Sequence, residues 1–330
     1  METKYYCGID IHKDNYVACL LDKKGNKIRS HEFKSSKESL QQFLVGIPNS
    51  DCKITIENCT MWRYAYKILV ELGFTKIELA DSIATKKLIS SKKTDFNDAK
   101  ALADLMRANL LPKLYIPDEK ILSLRDLTHH LMFVRKIIRN LKNKIKSELQ
   151  KHGFKYSSKI WNSTGFYWLK SLKNNTITSL VFLLEKIFPE EKKIHSDVKK
   201  IAKSLKETQL LMTIQGIGEY LALVIYAEIG TIHRFDSSKK FVMYCGLCPG
   251  ISQSGNSSQN IKNLRYNRTL KHAFQLGSGR ASIIPDSYFQ NKYLDVKAKK
   301  DMPKARRVIA QKMAIITWNM LKKNQEFKIL

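Results

Sequence analysis

The chain has 330 residues, with 58 Lys plus Arg against 30 Asp plus Glu and a formal net charge of +28 at pH 7. That imbalance selects a polyanionic partner, nucleic acid before ribosome or anionic membrane, while 43% hydrophobic and 10% aromatic residues exclude a disordered basic tail. No apolar run approaches the ~18 residues of a membrane span, and METKYYCGID runs straight into a strand pattern, so the expectation is a cytoplasmic protein with no membrane partner.

Cys7, Cys19, Cys52, Cys59, Cys245 and Cys248 suit a reducing compartment, where buried thiols act as small hydrophobes. Only Cys245 and Cys248 form a CxxC. Neither a second CxxC nor a spaced histidine pair follows to complete a zinc site.

In chain order, KYYCGIDI and YVACLLD read as strands, Gly25-Asn26 as a turn and KIRSHEF as a third strand, which makes an antiparallel meander. Ser35 with Glu38 predicts a capping box for a helix running to about Val45. CKITIE is a short buried strand, Met61 to Leu72 a helix and KIELA another strand, and Thr94 caps the helix that carries Asp95 and Asp98. Three hairpin strands followed by alternating helices and strands is the order of a ribonuclease H-like α/β domain, assigned to residues 1–115.

Beyond Pro117 the texture changes. Leu124, Leu127, Leu131, Val134, Ile138, Leu141 and Ile145 step by three and four, a heptad seam that predicts a coiled-coil helix stopped by Gly153. Ile194, Val198, Ile201 and Leu205 suit a returning arm, which makes residues 116–208 a coiled-coil region; Phe154 to Pro189, aromatic and basic, takes no assignment. Arg135, Lys136, Arg139, Lys142 and Lys146 lie on the other faces as candidate nucleic-acid contacts, although a solvated coiled-coil surface has the same pattern.

Residues 209–330 read as mostly helical. Gly216 and Gly218 flank Ile217 between two apolar helices, like a helix-hairpin-helix turn whose amides approach a phosphate; a tight helix-helix turn explains them equally. GISQSGNSSQN is a loop rich in Gly, Ser and Asn, and it leads into LRYNRTLK, where Arg265 and Arg268 are further candidates for nucleic-acid contact.

Acid appears where strands stop or a helix starts. Asp10 ends the first strand pattern, Glu57 ends ITIE, and Asp95 and Asp98 share one face of a helical first turn. In a ribonuclease H-like sheet the first and fourth strands are neighbours and their ends face that last helix, so these acids are placed to meet. Carboxylate oxygens are the ligands Mg²⁺ prefers, and such ions clamp the oxygens of a phosphodiester. For Asp95 and Asp98 alone, a favourable interaction with the helix dipole is the stronger explanation, and only the set of four acids in this strand and helix order outweighs it.

GIDIHKD (Gly8 to Asp14), ITIENCT (Ile54 to Thr60) and KTDFNDAKALADL (Lys93 to Leu105) resemble the three motifs of the DEDD transposases of IS110-type insertion sequences, and the likeness extends through TIQGIGEYLALVIYAEIG and FVMYCGLCPGISQSG. That resemblance implies a RuvC-like domain, a coiled-coil middle and a C-terminal transposase domain. It implies a recombinase that excises and inserts its own element under the guidance of a structured bridge RNA. The DEDD set becomes Asp10, Glu57, Asp95 and Asp98, and the nucleophile becomes Ser254, which precedes Gly255.

The chain departs from the family at Cys59, Thr60 and Met61 after IEN, and at Tyr266, where a glycine is usual. A Mg²⁺-dependent nuclease without a covalent intermediate, or a non-catalytic nucleic-acid-binding relic, are the alternative readings. Synapsis of two DNA ends implies a homo-oligomer, a dimer or tetramer, and the heptad seam offers it an interface.

Overall fold

The computed structural model describes residues 3–89, 94–157, 160–248, 250–254, 257–261, 266–299 and 301–328, with only the backbone of 250–254 and 257–261. Two compact units follow one another, Met1–Ile116 and Pro117–Leu330.

In the first unit β1 (Tyr5–Ile11), β2 (Asn15–Asp22), β3 (Lys27–Lys34), β4 (Cys52–Glu57), β5 (Ile77–Ala80) and β6 (Lys113–Leu114) form a mixed sheet of order β3-β2-β1-β4-β5-β6. The meander β1-β2-β3 is antiparallel, β1-β4 and β4-β5 are parallel, and β6 returns antiparallel to β5. Helices α1 (Lys37–Phe43) and α2 (Trp62–Glu71) pack Leu40, Phe43, Ala65, Ile68 and Leu69 against Cys7, Ile9 and Ile11. After the short α3 (Ser82–Thr85), α4 (Asp95–Arg107) brings Ala99 and Ala103 to Val17, Cys19 and Leu21 in a separate core. The α/β order agrees with the reading of the sequence.

One cap differs by a residue. Ser36, not Ser35, caps α1 by accepting the Ser39 amide hydrogen bond, and the helix stops at Phe43 rather than Val45. Ser35 is held by the strand end instead: its amide donates to Asp14 O and its hydroxyl to Lys13 O.

Gly8 sets how close α4 comes to the sheet. A Cβ there would lie 2.1 Å from Ala99 O and 2.7 Å from Ala103 N, so the helix backbone rests directly on β1. Side chains alternate along a strand, which places Asp10 on the same face as Gly8, nearer the start of that helix.

Among the described residues the second unit is helical apart from one hairpin: α5 (Glu119–Lys151), α6 (Ser163–Ser171), α7 (Asn175–Ser204), α8 (Lys206–Met212), α9 (Glu219–Ile229), α10 (Ser238–Tyr244), β7 (Gly250–Ser254), β8 (Ser257–Ile261), α11 (Arg268–Ala281), α12 (Tyr288–Lys297) and α13 (Met302–Lys323). Asp118 caps α5, and Gly153, at φ +70°, follows its end as the sequence predicts.

Leu124, Leu131, Val134, Ile138 and Ile145 of the seam are buried in one core with Val181, Leu184, Ile194 and Val198 of α7. Arg135 pairs with Glu191, while Lys142, one heptad further on, lies over Phe188, so the two long helices run in opposite directions. These seam residues are therefore covered within the chain by α7. The unassigned stretch becomes α6 and the first half of α7, which continues through Pro189. Proline removes one helical hydrogen bond; packing on either side, including Phe188 stacked on Phe166, keeps the helix running.

At the middle of this unit every residue of α9 from Ala222 to Ile229 is buried, the all-round apolar pattern of a core helix. Among the described residues, no helix is long and apolar enough to cross a membrane.

Candidate active site

The parallel register that pairs Ile9 with Ile56 carries Asp10 to the level of Glu57, at the ends of adjacent strands. Their carboxyl groups are within hydrogen-bonding reach of each other, and Asp95 adds its charge from the first turn of α4. Thr94 fixes that turn by accepting the Asn97 amide hydrogen bond. His12, just past the end of β1, places Nε2 3.2 Å from Asp10 Oδ2 and 3.6 Å from Asp95 Oδ2.

Asp10 is only 5% exposed. Burial raises its pKa to about 6; His12 opposes the rise and the neighbouring Glu57 and Asp95 add to it. The ion pair of Glu57 with Lys86 is long, 3.6 Å from Oε1 to Nζ. Such a crowd of acids is suited to a divalent cation. Ligand atoms of Asp10, His12 and Asp95 all lie within 4.8 Å of one another, and carboxylate oxygens with an imidazole nitrogen make a chemically sound donor set.

Asp10, Glu57 and Asp95 are thus brought together, and Asp98 sits half-buried on the same first turn as Asp95. The reading of the sequence missed His12. The alternation of GIDIH carries the signal, since Asp10 and His12 are two apart at a strand end.

Ser254 is the last residue of β7 and pairs with Ser257 across the hairpin; Gly255 lies outside the described residues. The two ends of this excursion are pinned together. Asn267 donates its amide to Tyr244 O, caps α11 through Leu270 N, and gives its side-chain amide to Glu228 Oε2. Glu228 also bonds His129 Nε2 at 2.6 Å. Burial alone would push the Glu228 pKa up, but the hydrogen bonds from His129 and Asn267 outweigh it and leave the group below its ordinary value. Tyr266 covers Gly246, where a Cβ would meet the ring at 2.4 Å. The chain therefore accommodates a ring where the family has glycine.

The basic candidates divide. Arg135 is committed internally, to Glu191 at 2.7 Å and to the Tyr220 ring. Lys142 lies over Trp161 and Phe188, and desolvation lowers its pKa. Lys136 and Arg139 are exposed on α5, Lys146 is half-buried, and Arg268 is exposed at the start of α11; Arg265 lies outside the described residues.

Gly216, at φ +89°, is required by packing: a Cβ would lie 2.5 Å from Gly277 O of α11. A Cβ added at Gly218, the N-cap of α9, would meet nothing within 4 Å among the described residues.

Comparison with known proteins gives concordant matches. A DEDD family model of IS110 type, described as "Transposase", matches residues 7–153, and one described as "Transposase IS116/IS110/IS902 family" matches residues 208–294. The chain is 23% identical to "Transposase for insertion sequence element IS1111A" of Coxiella burnetii, over 97% of this chain and 90% of that protein. It is also 23% identical to "Transposase for insertion sequence element IS1328" of Yersinia enterocolitica, over 94% of this chain and 95% of that protein.

Proposed function

Because the chain belongs to the IS110/IS116/IS902 family of transposases, we propose that it cleaves and rejoins DNA to excise and insert its own element, as a serine recombinase guided by a bridge RNA. The observation that carries this reading is the meeting of Asp10, Glu57 and Asp95 at the ends of β1 and β4 and the start of α4. These acids, with Asp98 beside them, would hold Mg²⁺. A divalent ion there offsets the negative charge that develops on phosphate oxygens.

Ser254 supplies the attacking oxygen. Its Oγ bonds to phosphorus while the bond from phosphorus to the sugar oxygen breaks; the hydroxyl proton passes to a base, and the departing sugar oxygen takes one up. The phosphoserine ester keeps a reactive bond for rejoining when a hydroxyl of another strand attacks. Water in place of that hydroxyl would end in hydrolysis. Lys136 and Arg139, both exposed, and Arg268 at a helix start are the groups best available to hold backbone phosphates. Two DNA ends must be held at once, which calls for a dimer or tetramer, and the reaction takes place in the cytoplasm.

The test is a denaturing gel of protein incubated with element-end DNA, its non-coding RNA and Mg²⁺. A protein-linked DNA band that Ser254→Ala abolishes is the expected result. Strand cuts that persist in Ser254→Ala with no linked band would overturn the covalent route in favour of the nuclease reading. Wild-type protein that neither cuts nor links would favour the relic.

A further inference from the structure

On the reading of the acidic cluster as a cation site, we propose that His12 is a direct ligand of the bound ion and makes the site hold a divalent transition-metal ion, such as Mn²⁺, more tightly than Mg²⁺. His12 lies two residues beyond Asp10, and its imidazole Nε2 reaches two carboxylates from different elements, Asp10 Oδ2 at 3.2 Å and Asp95 Oδ2 at 3.6 Å. Two neighbouring ligands of one octahedral ion with bonds of ~2.1 Å stand roughly 3 Å apart. The spacing found is close to that of a shared ion.

A nitrogen donor changes which ion the site prefers. Mg²⁺ is satisfied by oxygen and keeps much of its water, whereas an imidazole adds affinity for first-row transition metals. With its ring proton on Nδ1, His12 presents a neutral lone pair at Nε2. It adds a ligand without adding negative charge to a cluster already crowded with it. Its side chain is 48% exposed, so the ring can turn toward an incoming ion without disturbing the core.

The experiment uses the full chain, its His12→Gln variant and Asp10→Asn as a control, with Mn²⁺ as the probe. Free Mn²⁺ is followed by its paramagnetic resonance signal to obtain affinity, competition gives the Mg²⁺ affinity, and pulsed spectra of bound Mn²⁺ report coupling to nitrogen. Wild type should show nitrogen coupling and bind Mn²⁺ at least about tenfold more tightly than Mg²⁺. In His12→Gln the coupling should vanish and Mn²⁺ affinity fall by about tenfold or more, with little change for Mg²⁺.

Bound Mn²⁺ without nitrogen coupling in wild type, or unchanged Mn²⁺ affinity in His12→Gln, would overturn the role of His12 and leave the acidic site standing. No stoichiometric binding in wild type, or binding that Asp10→Asn retains in full, would remove the cation site as well. The wild-type pulsed spectrum decides the question even if the variant folds poorly.

Discussion

Asp10 and Glu228 are both buried carboxylates, one in each unit, yet they have opposite surroundings. Burial raises Asp10 to about 6, with Glu57 and Asp95 adding to the rise and His12 opposing it, whereas Glu228 receives hydrogen bonds from His129 and Asn267 and is held below its ordinary value despite its burial. Burial alone does not mark a site. An acid whose neighbours are donors is already satisfied and serves the fold; an acid whose neighbours are acids requires something positive from outside.

The largest effect should come from breaking the first arrangement. Asp10→Asn is expected to lower DNA strand cleavage by at least about a hundredfold, measured in single-turnover assays with Mg²⁺. Its melting temperature should stay the same or rise, because one of the mutually repelling charges is gone. A large loss of stability would place Asp10 in the same structural class as Glu228.

Gly8→Ala tests how the crowded cluster is assembled. The new methyl group would drive α4 off β1, where Ala99 O stands 2.1 Å from the Cβ position. The expected cost is about 3 kcal/mol in urea unfolding, with loss of cleavage as Asp95 is displaced. Wild-type stability would contradict the contact.

Glu228→Gln tests the satisfied carboxylate. Replacing an acceptor oxygen by a donor opposite His129 or Asn267 should cost about 2 kcal/mol. The pH dependence has a definite sign: with a folded pKa below the unfolded one, ionised Glu228 stabilises the unit above the ordinary carboxylate range, and that stabilisation is lost as pH falls through the depressed value. The wild-type advantage over Glu228→Gln should therefore shrink on acidification, as followed by melting curves. An advantage that grows toward low pH would sink this assignment.

The smallest effects concern single exposed bases. Lys136→Ala and Arg139→Ala should each lower the salt slope of nucleic-acid binding by about one, with stability unchanged. Arg135→Ala should instead reduce stability, since its guanidinium joins Glu191 to Tyr220 inside the unit.

Much of the acidic site was legible because its determinants are local. Asp10 and Glu57 end apolar strand runs, and Thr94 announces the helix that carries Asp95 and Asp98. The contribution of His12 was written in the same alternation but was overlooked. The Glu228 network was not legible, because its partners His129 and Asn267 lie 99 and 39 residues away and meet only through the packing of α5, α9 and α11. The helix through Pro189 was hidden for a similar reason: a local breaker is overridden by tertiary contacts. The heptad seam was visible, yet spacing alone cannot say whether the covering helix comes from the same chain.

The central claim is that Asp10, Glu57 and Asp95 form a divalent-cation site while Glu228 does not. Calorimetric titration of Mg²⁺ into wild type, Asp10→Asn and Glu228→Gln at a temperature where all three are folded tests it most directly. The expected result is saturable binding in wild type and Glu228→Gln and none in Asp10→Asn; equal binding by Asp10→Asn and wild type would contradict the account.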